Sequence, residues 1–418
     1  MIVFKFGGAS VKDADAVRNI GEIVKRYNEE LVVVISAMGK TTNLLETLLR
    51  AYYGGSSSKW EIFAKFKSYH TSITDELFGP GNLPAPINRI FSGLEAKLNA
   101  PPTKDFNFEY DQLIFYGELV STAIVAHYLN SVDIRIKWAD IRESLITDDN
   151  YREANVDWDQ TEKLVTENFH FKKNQRYLTQ GFIGSTKNGI PTSLGREGSD
   201  FTAAIFGNIL NARYVAIWKD VPGVLNADPK QLEATLKIDE LSYREAIEMS
   251  HSGAKIIHPK TIKPLQNKNI PLYVKSFLNP EAEGTLIHPV NQALDLIPVY
   301  IIKENQVLIT LSPYDFSFIG IQDISFVFSL LSKYRFKINL FQQSAIDLNL
   351  VTDFPESGFE KTVGELSGRY EVKYNTGLEL ITIRYYSDES IKEVTTGKKV
   401  FIEQKSRRTA RLVTRRNQ

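Results

Sequence analysis

The 418-residue sequence has no cysteine, three methionines and six histidines. Without cysteine there is no disulfide, no thiol nucleophile and no thiolate-bound zinc, a composition suited to a reducing cytosol. The histidines form no cluster with ligand spacing, so the sequence names no metal ligands. No stretch approaches the roughly 18 consecutive apolar residues of a membrane helix. An excess of one charge sign is missing too. Lys+Arg and Asp+Glu stand at 50 each, so no global field points to nucleic acid or a membrane surface. The opening MIVFKFGGAS reads as a strand and not a signal peptide, because Lys5 breaks a short apolar run. A cytoplasmic protein is expected, with neither nucleic acid nor membrane as partner.

Through the first two-thirds, strands and helices alternate, which predicts an α/β sheet layered with helices. MIVFKF is a strand, and Val17, Ile20, Val24 and Tyr27 recur at helical spacing after Gly8. Ser10 and Asp13 form an S-x-x-D signature at the start of that helix. ELVVVISA (30–37) has the continuous apolar character of a buried parallel strand. TTNLLETLLRAYY reads as a helix, and QLIFYGELVSTAIVAHYL (112–129) as one too apolar all round for the surface. Residues 54–110 hold two helical pieces between Gly/Pro/Ser loops and carry no visible chemistry. Beyond about residue 297, QVLITLS, ISFVFSLLSKYR, KINLFQQ, IDLNLVTDF, FEKTVGELSGR and YEVKYNTG follow the β-α-β-β-α-β order of a ferredoxin-like unit. LELITIRYY, a helical stretch and RTARLVTRR start a second unit that stops short.

Several stretches carry charge where a fold would not spend it. Lys5 lies in a strand two residues before Gly7-Gly8. It either snorkels to solvent or meets an anion at a glycine turn and helix start, where free backbone N–H groups gather. GKTT (39–42) fails as a P-loop, since Val34 stands where that motif needs glycine. Ser36, Thr41 and Thr42 can still bond a ligand beyond the strand's end, or simply cap a helix. Glu118, on its apolar helix, is either solvated or a buried carboxylate needing a cation. In LGREGSD (194–200), Arg196 can hold a carboxylate or phosphate. Ser199 follows, and Asp200 either caps a helix or orients a lysine or metal ion. Lys219, Asp220 and Lys230 in WKDVPGVLNADPK, and Lys255 in SGAKIIHP, offer charges for a nucleotide. His258 reads as structural.

In order along the chain, KFGGAS, TTNLL, GELVST, TQGFIGS, LGREGSD, WKDVPGV and GAKIIHPKT resemble the aspartokinases of the amino acid kinase superfamily. The tail resembles their paired ACT domains. The resemblance implies a three-layer α/β/α kinase domain with a mainly parallel sheet over 1–290 and an ACT region over 297–418. That region holds one complete unit at about 306–375 and a truncated one from about 297–305 plus 376–418. It further implies a monofunctional enzyme that phosphorylates the side-chain carboxylate of L-aspartate with ATP and Mg²⁺, the first step toward lysine, threonine and methionine. Lys5, Gly7, Gly8 and Ser10 would meet the phosphates, with Lys219, Asp220, Lys230 and Lys255 in the ATP segments. Ser36, Thr42, Glu118, Arg196 and Ser199 would bind aspartate, and Asp200 would organise the centre. Lys5, Arg196 and Asp200 form the expected catalytic set. A homodimer through ACT strands is expected, and a lysine or threonine effector near Ile324, Ile338 and Asn339. The chain departs from the family pattern at Ala9, Glu197, Leu225 and Asn339, and at Gln342-Gln343, which puts lysine feedback in question. Two rivals stay open: a kinase for another carboxylate such as glutamate, and a catalytically silent amino-acid sensor.

Overall fold

The structure is a computed structural model that describes residues 1–418 except 172–174, 233, 255, 291–296, 356, 417 and 418. The chain divides into two compact units. One comprises Met1–Val224, Lys237–Ile247 and Ile256–Leu294, and the other Leu225–Leu236, Glu248–Lys255 and Asp295–Gln418. The expected boundary between 290 and 297 falls on 291–296, outside the described residues.

The N-terminal unit is built on one eight-stranded sheet. Its strands are β1 (Ile2–Phe6), β2 (Leu31–Ile35), β3 (Lys137–Ala139), β4 (Arg176–Gln180), β5 (Val215–Lys219), β6 (Glu240–Ser242), β7 (Leu272–Ser276) and β8 (Thr285–His288). Their order is β6-β8-β7-β5-β1-β2-β4-β3, parallel throughout except between β7 and β8. The helices are α1 (Ala14–Lys25), α2 (Thr41–Tyr53), α3 (Lys59–Phe78), α4 (Ala85–Asn99), α5 (Phe106–Ser131), α6 (Trp158–Asn168), α7 (Gly198–Ile209), α8 (Tyr243–Ser252) and α9 (Pro259–Asn267). β1 and β2 are buried over their whole length, as their unbroken apolar runs require of central parallel strands.

Side-chain alternation sorts β1 into two faces. Ile2, Phe4 and Phe6 join Val17, Ile20, Val33, Ile124 and Trp218 in the main core, under α1 and α5. Val3 and Lys5 take the opposite face, against which α7 packs. Chain order runs from β1 outward to β2, β3 and β4, then returns to place β5 on the other side of β1. That reversal is where open α/β sheets bind ligands, beyond the carboxyl ends of their strands.

Three readings need correction here. The α-helix after the glycines starts at Ala14, with Asp13 as its cap accepting from the Ala16 N–H at 2.8 Å. Ser10 is not the cap; it is buried in a separate 3-10 turn, Gly8–Val11. IRIKWAD forms only the three-residue β3, and the apolar helix around Glu118 extends in both directions to 106–131.

The C-terminal unit carries a six-stranded antiparallel sheet of β9 (Val299–Pro313), β10 (Ile338–Gln343), β11 (Leu348–Asp353), β12 (Tyr370–Arg384), β13 (Lys398–Lys405) and β14 (Thr409–Arg416), in the order β10-β11-β9-β12-β14-β13. Helices α10 (Ile321–Lys333), α11 (Phe359–Ser367) and α12 (Asp388–Thr395) complete it. The strands read as separate at YEVKYNTG and LELITIRYY are one strand, β12, paired along its length with β9 across register shifts near Lys303 and Gln306. Two ferredoxin-like halves thus share these two long strands. β13 was not foreseen, because only Ile402 of KKVFIEQK is buried and its charges match an exposed edge strand.

Candidate active site

At the carboxyl end of β1, the Lys5 ammonium meets the Asp200 carboxylate at 2.7 Å, with both side chains nearly buried. Alternation explains the encounter: Lys5 faces α7, and Asp200 lies in the first turn of that helix. Burial works against the Asp200 charge, but Lys5 and Lys219 together hold its carboxyl below the ordinary value. Lys219 ends β5 beside β1 and donates its ammonium to the Ile256 carbonyl. Two cations and one carboxylate therefore gather at the sheet's reversal point, leaving a positive balance.

The glycines are required by what surrounds them. A Cβ on Gly8 would sit 2.6 Å from the Gly39 carbonyl and 2.9 Å from that of Ala37. One on Gly7 would sit 3.3 Å from the Lys5 ammonium. The Gly8 carbonyl accepts from the Gly39 N–H at 2.9 Å, and the Phe6 carbonyl from the Ser36 N–H at 3.2 Å. These bonds bring the end of β2 and the start of α2, with Thr42 in its first turn, against the glycine turn.

Glu118 comes to the same place from α5. It is buried, and its Oε2 has no hydrogen-bond partner among the described residues. Desolvation pushes its carboxyl up to about 8, against the opposing pull of the Ala37 N–H. A carboxyl left this way fits a cationic ligand better than a structural pairing. On the third side, Gly181 follows β4, and Ser199 packs so closely on it that a Cβ there would lie 2.5 Å from the serine Cβ. Arg196 is exposed on the turn before α7, and among the described residues no side chain pairs with its guanidinium.

Lys5, Gly7, Gly8, Ser36, Thr42, Glu118, Ser199, Asp200 and Lys219 are thus gathered around the ends of β1, β2, β4 and β5. Ser10 is buried in the adjoining 3-10 turn. Asp220 is exposed in the loop after β5, and Lys230, also exposed, falls in a segment of the C-terminal unit. Lys255 lies outside the described residues. In the C-terminal unit, Ile324 and Ile338 pack against the α10–α11 core. Asn339 bonds to Lys303 Nζ at 2.9 Å, Gln306 Oε1 at 2.7 Å and Asp353 Oδ1 at 2.7 Å. His258 caps α9, as its structural reading anticipated.

Sequence reasoning passed over several supports. Gln180, fully buried, donates to Thr122 Oγ1 at 2.8 Å and accepts from the Ile141 N–H at 2.8 Å, tying β4 to the Glu118 helix. Phe182 adopts a left-handed φ of 71° next to Gly198, where a Cβ would strike its ring. Glu197 also takes a left-handed φ, 54°, and its Oε2 accepts from the His258 N–H at 2.8 Å. Its departure from the glycine common at this place now has a consequence: the strain of about 1 kcal/mol is offset by a charge-assisted bond.

The chain is similar to known proteins. The model of the Amino acid kinase family matches residues 1–276. Lysine-sensitive aspartokinase 3 of Escherichia coli (strain K12) is 31% identical over 410 residues, covering 96% of this chain and 90% of that protein. Bifunctional aspartokinase/homoserine dehydrogenase 2, chloroplastic, of Arabidopsis thaliana is 34% identical over 295 residues, which are 68% of this chain and 32% of that longer protein. The crystal structure of E. coli aspartokinase III in complex with aspartate and ADP (R-state) superposes with a TM-score of 0.80 at 29% identity, covering 99% of this chain and 96% of that one. A buried lysine–aspartate pair at the sheet's reversal point, a family model over the sheet that builds it, and a relative aligned through both units lead to one assignment: the chain belongs to the amino acid kinase family, among its aspartokinases.

Proposed function

We propose that the chain transfers the γ-phosphoryl group of ATP to the side-chain carboxylate of L-aspartate, giving 4-phospho-L-aspartate. The observation that carries this is the buried Lys5–Asp200 pair beside the Gly7-Gly8 turn, reinforced by Lys219. Phosphoryl transfer asks the protein for positioning and for charge opposite the spreading negative charge of the phosphoryl oxygens. Lys5 and Lys219 supply that charge, and Asp200 holds Lys5 in place. The acceptor carboxylate is already ionised at neutral pH, so it attacks without a general base. The orphaned Oε2 of Glu118 fits the aspartate ammonium, and Arg196 a carboxylate, with Ser36, Thr42 and Ser199 as further donors. The aspartate and ADP bound in the E. coli structure support this choice of ligands.

Among the described residues no group of three or more His, Asp or Glu could hold a metal. Mg²⁺ would be carried on the ATP phosphates and would supply positive charge there. Asp220, in the loop after β5, is assigned to the nucleotide. The E. coli relative is lysine-sensitive by name, and an amino-acid effector here is assigned to the C-terminal unit. There Asn339 is bonded to Lys303, Gln306 and Asp353. A homodimer is assigned to the edge of the six-stranded sheet. There β10 has one unpaired rim, and Phe341 is 49% exposed.

Trapping of acyl phosphate with hydroxylamine, across aspartate, glutamate and acetylglutamate, tests the reading. Hydroxamate and ADP should form with aspartate alone. Preference for another acceptor would reassign the substrate, and ATP binding without ADP release would leave an amino-acid sensor.

A further inference from the structure

We propose that Asp111 is a positioning residue for Arg196, setting the turn from which that guanidinium reaches the aspartate carboxylate. The proposal rests on the assignment of Arg196 to aspartate made above. Asp111 and Glu118 lie seven residues apart on α5, two helical turns, and so share one face of the helix. Glu118 keeps an unpartnered oxygen for a ligand. Asp111, by contrast, is 1% exposed and spends its oxygens inside the protein. It accepts from the Ser193 N–H at 3.0 Å, the Ser193 hydroxyl at 2.5 Å and the Arg152 N–H at 3.0 Å.

Those partners are the two flanks of the Arg196 turn. Ser193 ends a short strand, Pro191–Ser193, and leads through Leu194 and Gly195 directly to Arg196. Arg152, with a left-handed φ of 74°, brings its carbonyl to 3.1 Å from where a Cβ on Gly195 would stand. The Ser193 carbonyl accepts from the Ala154 N–H at 2.9 Å, which closes the two flanks on each other. Gly195 itself has φ 75°, so the turn is narrow and tolerates little sliding. The Arg152 guanidinium is occupied elsewhere, over the Tyr110 ring and at Asn107.

Arg196 has no side-chain partner among the described residues, so its reach is set by its backbone alone. One buried carboxylate holds that backbone from both sides. Two backbone N–H groups converge on one oxygen of Asp111 and the Ser193 hydroxyl on the other; an amide could keep all three by turning its NH2 to the hydroxyl oxygen, whereas an apolar side chain of the same size leaves both buried N–H groups without an acceptor. α5 then acts as a ruler, with Glu118 at the ammonium end of the substrate and Asp111 fixing the guanidinium at the other.

Steady-state kinetics on the full chain test this. Asp111→Leu, which keeps the size and removes the acceptors, should raise the aspartate KM about tenfold or more, with the ATP KM and kcat within about threefold, as misplacement of a binding group does. Glu109→Leu is the control: Glu109 is equally buried on the same helix but bonds Lys97 and the Thr103 N–H. It should lower the melting temperature comparably and leave the aspartate KM unchanged. Combining Asp111→Leu with Arg196→Ala should add nothing to the KM of Arg196→Ala alone, because both act through one guanidinium. If Asp111→Leu does not fold, Ser193→Ala removes one bond of the three and should show a smaller rise in the same direction. Equal KM effects of Asp111→Leu and Glu109→Leu, or additivity with Arg196→Ala, would overturn the proposal. Arg196→Ala with a normal aspartate KM would instead overturn the role of Arg196 on which it rests.

Discussion

Lys5 is tolerated inside a buried strand because its face of the sheet is the one α7 covers, and α7 presents Asp200 there. Removing one member of such a pair leaves the other charged and buried, at a cost of about 3–5 kcal/mol. Lys5→Ala should lower turnover on the order of 10²–10³, as loss of a charge-stabilising donor does, and should also lower the melting temperature. The double variant Lys5→Met/Asp200→Asn separates the two effects. With both charges gone, stability should largely return while turnover stays low; recovered turnover would remove Lys5 from the chemistry. Glu118 poses the opposite case, a carboxyl whose folded state holds its proton up to about 8. Its folded pKa lies above the unfolded value of 4.5. The resulting stability is present in full below the unfolded value and is lost as pH rises through about 8. Ligand-free Glu118→Gln should therefore melt higher than the parent above that pH, and aspartate should no longer raise its melting temperature. Identical melting curves for parent and variant across the range would show that Glu118 does not titrate there.

Elements meet at this site through backbone contacts more than through side chains. The glycine turn after β1, the end of β2 and the start of α2 are joined by the Gly39–Gly8 and Ser36–Phe6 bonds. Gly8→Ala would drive a methyl group into two carbonyl oxygens that belong to the bonded backbone. The expected outcome is a loss of about 1–3 kcal/mol together with weaker ATP binding, measured by thermal melts with and without nucleotide. A normal nucleotide-induced shift would detach this turn from the phosphates. α2 was legible residue for residue, since TTNLLETLLRAYY is amphipathic and stops before Gly54. The start of α1 was not, because S-x-x-D fits a cap at either Ser10 or Asp13, and the 3-10 turn that decides between them forms only when Gly8 packs against Gly39. Likewise, YEVKYNTG and LELITIRYY looked like two strands because Thr376-Gly377 resembles a turn. Pairing with β9 carries the chain through as one strand.

At the scale of the whole molecule, the two units divide the assignments: phosphoryl transfer in the N-terminal unit, effector response and self-association in the C-terminal one. Phe341→Asp, on the exposed edge strand β10, should convert a dimer to monomer in light scattering; an unchanged mass would move the interface elsewhere. The ordered motifs specified the family, the parallel sheet and the residue types at the centre. Those follow from short-range rules: apolar runs for buried strands, glycine at turns, and charge where a ligand must be met. What the tertiary structure decided is who meets whom. Sequence left Lys5 between solvent and phosphate, and left Asp200 between a helix cap and a lysine partner. Strand alternation, with α7 laid over that face, joined them 195 positions apart. It also showed Asp111, silent in the sequence, as the holder of the Arg196 turn, because a buried carboxylate's role depends on donors that only folding brings within 3 Å.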